Sequence, residues 1–133
     1  MPVIRLDDMA MEPIVAHDGV GAIDFVRISD RVPMHGAWEF VDFARVPPGA
    51  TVGLHAHDDD EELYVVLRGR GIVTVNGVDE RIEARSILIN PPFATHGIRN
   101  DGGEPLEFVV LKVPTRHAVA RAAARDDPAT AND

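Results

Sequence analysis

The sequence contains no cysteine, which excludes disulfide bonds, thiolate metal ligands and a cysteine nucleophile. It also lacks any apolar run approaching the ~18 residues that a membrane-spanning helix needs. The N-terminal residues do not have the basic and then apolar build of a secretory signal. We therefore expect a cytoplasmic protein with no membrane partner.

Positive charge is also scarce, because 13 Lys and Arg residues stand against 22 Asp and Glu residues, for a net charge of −9. Such a chain is repelled by phosphate backbones, so we expect no nucleic-acid partner. An anionic small-molecule substrate is still compatible, because a buried cation reverses the charge locally. We find no internal repeat and no helix-turn-helix pattern, and this argues against a role in regulation.

The length of 133 residues and the hydrophobic content of 45% predict one domain over residues 1–133, with its core at about 14–114. Short apolar runs separated by turn residues are typical of an antiparallel all-β barrel or sandwich. The predicted strands are 22–28, 38–46, 51–57, 63–67, 72–75, 78–82, 86–89, 96–100 and 106–113. The dipeptide Asn76-Gly77 predicts a tight hairpin. The first dozen residues suit either an edge strand or a segment exchanged with a partner.

The composition changes after Pro114. Residues 115–125 are rich in alanine and predict a short C-terminal helix with Thr115 as its N-cap. Residues 126–133 are polar and predict a frayed tail.

Two histidines are the first sign of a metal site. His55 and His57 lie two residues apart on a predicted strand, so their side chains share one face. Glu62 begins the next strand, where it can fold back beside the pair. Imidazoles and a carboxylate with open coordination positions are typical of a catalytic transition-metal site.

The spacing around these residues resembles the first motif of the cupin family. Gly49, His55, His57, Glu62 and Gly69 occupy every fixed position of G-x5-H-x-H-x(3,4)-E-x6-G.

The second cupin motif, G-x5-P-x-G-x2-H-x3-N, follows in the expected order. Pro91, His96 and Asn100 fall at the required spacings. The two glycine positions are instead Arg85 and Phe93, which leaves the local loop shape open. The resemblance covers about residues 36–113.

The resemblance implies an antiparallel jelly-roll barrel that holds one divalent metal ion, which could be Fe, Mn, Zn, Ni or Cu. The implied ligands are His55, His57, Glu62 and His96, with open positions facing the barrel mouth. Glu61 is the rival carboxylate, and strand alternation predicts that it points the other way. In an alternative arrangement the three histidines bind the metal and Glu62 stays free as a general base.

Two further residues are candidates for catalysis. Tyr64 shares the face of Glu62 and could hydrogen-bond a substrate oxygen, although a core tyrosine is an equal alternative. His35 could reach the barrel mouth as an acid or base, although a surface position suits it better. His17 suits a surface position as well, and the acidic run 58–60 suits a solvated loop.

Four residues are candidates for binding the substrate. Phe93 could line the mouth of the cavity, and Arg45 could pair with a substrate carboxylate. Trp38 precedes a strand that could line the cavity, although core packing is the simpler role. Asn100 shares the face of His96, although tying a loop suits it better.

The predicted function is a metal-dependent enzyme acting on a small oxygenated metabolite such as an enol, a dicarbonyl or a hydroxy-acid. The reaction could be a dioxygenation or a redox-neutral isomerisation, cyclisation or decarboxylation. Small cupins of this kind resemble both dioxygenases and polyketide cyclases. The alternative is a non-catalytic module that binds a metal or a ligand. The resemblance also suggests a homodimer.

Overall fold

The computed structural model describes residues 3–126, and in these residues ten antiparallel strands form two sheets. The strands are β1 (Glu12–Ile14), β2 (Ile23–Arg27), β3 (Phe40–Val46), β4 (Thr51–Ala56), β5 (Asp60–Arg68), β6 (Arg70–Val75), β7 (Val78–Glu83), β8 (Ile87–Asn90), β9 (Thr95–Arg99) and β10 (Leu106–Pro114). The sheet orders are β1-β2-β3-β10-β5-β8 and β4-β9-β6-β7. Because the chain passes repeatedly between the sheets, the architecture is a jelly-roll barrel. The predicted fold class is confirmed.

The main core lies between the two sheets. Val46, Val66 and Phe108 from the six-stranded sheet pack in one buried cluster with Val73 and Ile98 from the four-stranded sheet. Alternate residues of β3 belong to this interior, as strand geometry requires.

A second buried cluster covers the opposite face of the six-stranded sheet. Val41 and Phe43 of β3 belong to it, and Leu6, Met9 and Met11 pack against it. The N-terminal segment then continues into β1, which pairs with β2 in the register Glu12↔Phe25. An edge strand is therefore present, and it begins at Glu12, the last of the first dozen residues.

Several turns place non-glycine residues in the left-handed region. Asn76 and Gly77 have φ values of 48° and 81° and join β6 to β7, which confirms the predicted hairpin. Arg85 and Phe93 have φ values of 75° and 62°. The backbone thus keeps a glycine-type conformation at both positions where the motif has glycine, at a cost of about 1–2 kcal/mol each.

Helix α1 (Arg116–Asp126) follows β10 and confirms the predicted short C-terminal helix. The hydroxyl oxygen of Thr115 accepts a hydrogen bond from the N–H of Ala118 at 3.0 Å, as an N-cap does, and the hydroxyl donates to Asp59 at 2.6 Å. Residues 127–133, most of the predicted tail, lie outside the described residues. Among residues 3–126, no helix is long and apolar enough to cross a membrane.

Candidate metal centre

His55 and His96 face each other across two neighbouring strands. His55 is on β4 and His96 on β9, and the two residues are direct partners in the antiparallel register. Their Nε2 atoms lie 2.8 Å apart. Nδ1 of His55 lies 2.8 Å from the carbonyl oxygen of Gly53. Because a carbonyl only accepts, Nδ1 carries the proton, and the lone pair of a neutral His55 is on Nε2.

Glu62 reaches the same point from the other sheet. It lies on β5 between Asn90 and Lys112, and it is buried. Its Oε2 atom is 3.5 Å from Nε2 of His96. The ligand atoms of His55, Glu62 and His96 all lie within 4.8 Å of one another. The neighbouring Glu61 is exposed, as expected from strand alternation.

His57 stands beside this group with one free nitrogen. Its Nδ1–H donates to Oδ1 of Asp60 at 2.5 Å, because the carboxylate can only accept. The lone pair is therefore on Nε2, which is buried and has no hydrogen-bond partner within residues 3–126. The ring lies 4.9 Å from that of His96, measured between centroids. A buried acceptor without a partner is costly unless something else binds it, and Nε2 of His57 is available to a metal.

The donor set and its spacing fit a divalent cation. Two nitrogens bound to one metal at ~2.0–2.1 Å lie about 2.9 Å apart at a right angle and about 3.4 Å apart in a tetrahedron. The 2.8 Å between His55 and His96 and the 3.5 Å between His96 and Glu62 are close to these values. Two converging imidazoles and a carboxylate, with the Nε2 atom of His57 nearby, suit the late first-row metals better than Ca²⁺ or Mg²⁺, which prefer oxygen.

The protonation of the buried groups favours metal binding. Burial, followed by the charges of His55 and His57, lowers the pKa of His96 to about 3. His96 is therefore neutral at physiological pH, as a metal ligand must be. Burial and the charge of Glu62 raise the pKa of Tyr64 well above its ordinary value. Tyr64 therefore keeps its proton at neutral pH.

A cavity of about 340 Å³ opens beside these ligands and is lined at one end by His55, His57 and Glu62. Its walls are largely apolar. At the far end, on β2 and β3, which lie three and two strands away from β5 in the sheet, Arg27 binds the buried Asp42 with two hydrogen bonds of 3.0 and 3.2 Å. Burial raises the pKa of Asp42, and Arg27 partly offsets that shift.

Of the other sequence-predicted site residues, Tyr64 lines this cavity, packing edge-on against His96 with ring centroids 5.8 Å apart. His35 and Trp38 are exposed in the segment before β3. Phe93 is 68% exposed, and its N–H donates to the carbonyl of Asp58. The structure does not bring His35, Trp38 or Phe93 to the cavity wall.

Asn100 and Arg45 also lie away from the cavity. The buried Asn100 side chain donates to the carbonyls of Val46 and Glu104 and accepts from the N–H of Gly102, so it ties the turn after β9. Arg45 belongs to the alternate set of β3 residues that faces away from the interior, and its Nε lies 3.6 Å from Glu107.

Three residues near the ligands were not identified from the sequence. Asp60 orients His57, although it belongs to an acidic run that suited a solvated loop. Asn90, the register partner of Glu62, is fully buried, and neither of its amide atoms has a partner among the described residues. In the sequence, the only signal for Asp60 and Asn90 is that they lie close to residues of the two motifs.

The third residue, His17, lies outside both motifs and lines the cavity. Its ring stacks on His55 with centroids 3.5 Å apart and planes 8° apart. The residue has a φ of 50°, an uncommon conformation for a non-glycine residue. Gly53 permits it, because a Cβ there would overlap the carbonyl oxygen of His17. Burial and His55 lower the pKa of His17.

A family model described as a cupin domain matches residues 42–112, which is more than half of the chain. The chain belongs to the cupin family. This cupin is 30% identical to an oxalate-binding protein of Thermotoga maritima over 110 residues, which cover 82% of the cupin and 91% of that protein. The resemblance predicted from the two motifs is confirmed.

Solved structures agree with this assignment. A predicted oxalate decarboxylase from Thermotoga maritima is 28% identical and superposes on the cupin with a TM-score of 0.79, covering 86% of the cupin and 100% of that chain. A Cupin 2 conserved barrel domain protein from Salinispora arenicola has a TM-score of 0.72 at 19% identity, covering 94% of the cupin and 98% of that chain. At that identity the second likeness shows the fold alone.

Proposed function

We propose that this cupin is an enzyme that holds one divalent metal ion on His55, His57, Glu62 and His96 and acts on a small oxygen-rich acid. One observation carries the proposal: the ligand atoms of His55, Glu62 and His96 converge within 4.8 Å beside a cavity of about 340 Å³. In a structural metal site the protein normally fills every coordination position, whereas the cavity beside this group leaves room for a further ligand.

A bound divalent metal would act as a Lewis acid that stabilises negative charge on substrate oxygens. The residues of the chain supply the rest. The Nδ1 contacts of His55 and His57 leave the lone pair of both neutral rings on Nε2. Tyr64 keeps its phenolic proton at neutral pH, so it can donate a hydrogen bond to an oxygen of the substrate.

The relatives support an acid with two adjacent oxygen-bearing carbons as the substrate class. One is named an oxalate-binding protein and another a predicted oxalate decarboxylase. Oxalate and 2-oxo acids present two oxygens to one metal, which suits a centre with open coordination positions. The net charge of −9 does not oppose this class, because the metal and its surroundings set the local potential.

A second candidate function is binding without turnover, as the name of the Thermotoga maritima relative states for that protein. Dioxygenation and redox-neutral isomerisation or cyclisation, including a polyketide-cyclase-like reaction, stay alternatives for the chemical step. The same ligands would serve each of them, and the fold does not choose between them.

The test begins with protein purified without an affinity tag. Elemental analysis should find about one metal per chain, and His96→Ala should lose it while the β-sheet circular dichroism persists. The metal-loaded protein is then incubated with oxalate, 2-oxo acids and β-dicarbonyls, with dioxygen consumption, CO2 release and product mass followed together. Protein that refuses Mn, Fe, Ni, Cu and Zn would overturn the metal site. Metal-dependent binding with no turnover of any probe would favour the second candidate.

A further inference from the structure

The cavity is larger and more apolar than a ligand such as oxalate requires. Its volume of about 340 Å³ lies in the range of pockets that enclose drug-sized molecules, whereas oxalate is only two joined carboxylates. Beyond the metal ligands the apolar residues of the walls include Ile14, Ile23, Phe25, Phe40 and Val110. A small dianion would leave these walls in contact with water, so it would gain nothing from them.

Phe40 organises the far end of the cavity. The guanidinium carbon of Arg27 lies 4.5 Å from the centre of its ring, and Nζ of Lys112 lies 5.4 Å from it. Both distances are within the range of a cation–π contact. Arg27 is also held by Asp42, so its guanidinium has a fixed position against the ring.

The far end offers hydrogen-bond donors but no surplus of positive charge. Asp42 accepts from Nε and Nη2 of Arg27, and Nη1 has no hydrogen-bond partner within residues 3–126. Asp42 balances the charge of Arg27 at the far end, whereas Lys112 lies on the metal side as the register partner of Glu62. Lys112 is further engaged by Asp60 and Glu39, at 3.4 and 3.5 Å. A second carboxylate on the ligand therefore gains little there, whereas a neutral acceptor can bind Nη1.

On these grounds we propose that the cavity contains a second subsite, formed by Phe25, Arg27 and Phe40, that binds the apolar body of the ligand. The preferred ligand is a 2-oxo or enol monoacid that carries a ring-sized apolar substituent, not oxalate or a longer dicarboxylate. The acid head lies toward the metal ligands, and the substituent lies on the apolar walls. The proposal rests on the proposed function, because it places the acid head at that centre.

The test compares four probes by calorimetry on the Mn²⁺-loaded chain: pyruvate, oxalate, 2-oxoglutarate and phenylpyruvate. The phenyl group adds apolar area that the walls would bury, so phenylpyruvate should bind about 10- to 100-fold more tightly than pyruvate. Phe25→Ala, a change in a half-buried residue of an outer strand, should weaken phenylpyruvate about 10-fold and leave oxalate unchanged.

The possible failures are distinguishable. If phenylpyruvate binds no more tightly than pyruvate while oxalate binds only with the metal, the subsite is overturned and the proposed function stands. The subsite would also be overturned if Phe25→Ala lost the same affinity for oxalate as for phenylpyruvate while its thermal midpoint and metal content stayed unchanged. If none of the four acids binds the metal-loaded chain, the proposed function itself fails.

Discussion

The imidazole of His57 and the carboxylate of Asp60 form a buried pair in which Nδ1–H donates to Oδ1 across 2.5 Å. The other carboxylate oxygen of Asp60 lies 3.4 Å from Nζ of Lys112 on β10. A cation thus fixes the carboxylate, the carboxylate fixes the ring, and the ring is left with its lone pair on Nε2. Carboxylate–histidine–metal arrangements of this kind raise the basicity of a ligand and orient it.

Asp60→Asn should therefore weaken metal binding by about 10- to 100-fold, because the amide lacks the charge that holds the His57 ring. Competition with a coloured chelator measures this affinity. The matched control is Asp59→Asn at the preceding residue, since Asp59 contacts Thr115 and Arg121 instead of a histidine. Equal affinities for wild type and Asp60→Asn, with Asp59→Asn also unchanged, would refute the role of Asp60.

Glu62→Gln should remove most of the bound metal, because the buried carboxylate faces His96 at 3.5 Å and its charge is needed to balance the cation. Glu61→Gln should have no effect, since Glu61 is exposed. Elemental analysis of both variants after dialysis is the measurement. A Glu62→Gln protein that keeps its metal and loses turnover would instead support the alternative in which Glu62 is a free general base.

Gly53→Ala should destabilise the protein by roughly 1–3 kcal/mol, because its Cβ would overlap the carbonyl oxygen of His17 and force the backbone apart. The stack of His17 on His55 should be lost with it. The control is Gly103→Ala, where a Cβ meets nothing within 4 Å. Urea unfolding measures the free energy of unfolding of both variants. Similar values would contradict the close contact between the turn at His17 and Gly53 of β4.

The metal-free protein should lose stability as the pH falls from about 6.5 toward 3. His96 has a folded-state pKa of about 3 against an ordinary value of 6.5, so in this window the unfolded chain binds a proton that the folded chain does not. The contribution of this residue is complete above pH 6.5 and decreases by up to about 1.4 kcal/mol per pH unit below it. Urea unfolding at several pH values measures the slope, and His96→Gln should reduce it. An unchanged slope in that variant would show that other groups cause the acid sensitivity.

Much of the fold follows from local sequence patterns. Each predicted strand has a counterpart in the structure, because alternation and turn residues act within a few positions along the chain. The two-residue alternation of side chains along a strand also places Glu62 inward and Glu61 outward. The cytoplasmic location and the homodimer stay predictions, since neither follows from the arrangement of one chain.

The sequence by itself determined the order and spacing of the four candidate ligands along the chain. Strand alternation, which repeats every two residues, also determined which face of its strand each side chain occupies. Only the tertiary structure decided which distant residues meet them. His17 reaches His55 through a left-handed turn against Gly53, and Lys112 reaches Asp60 because β10 pairs with β5. Such contacts depend on sheet order and on the close approach of backbones, and no short-range pattern in the chain encodes either one.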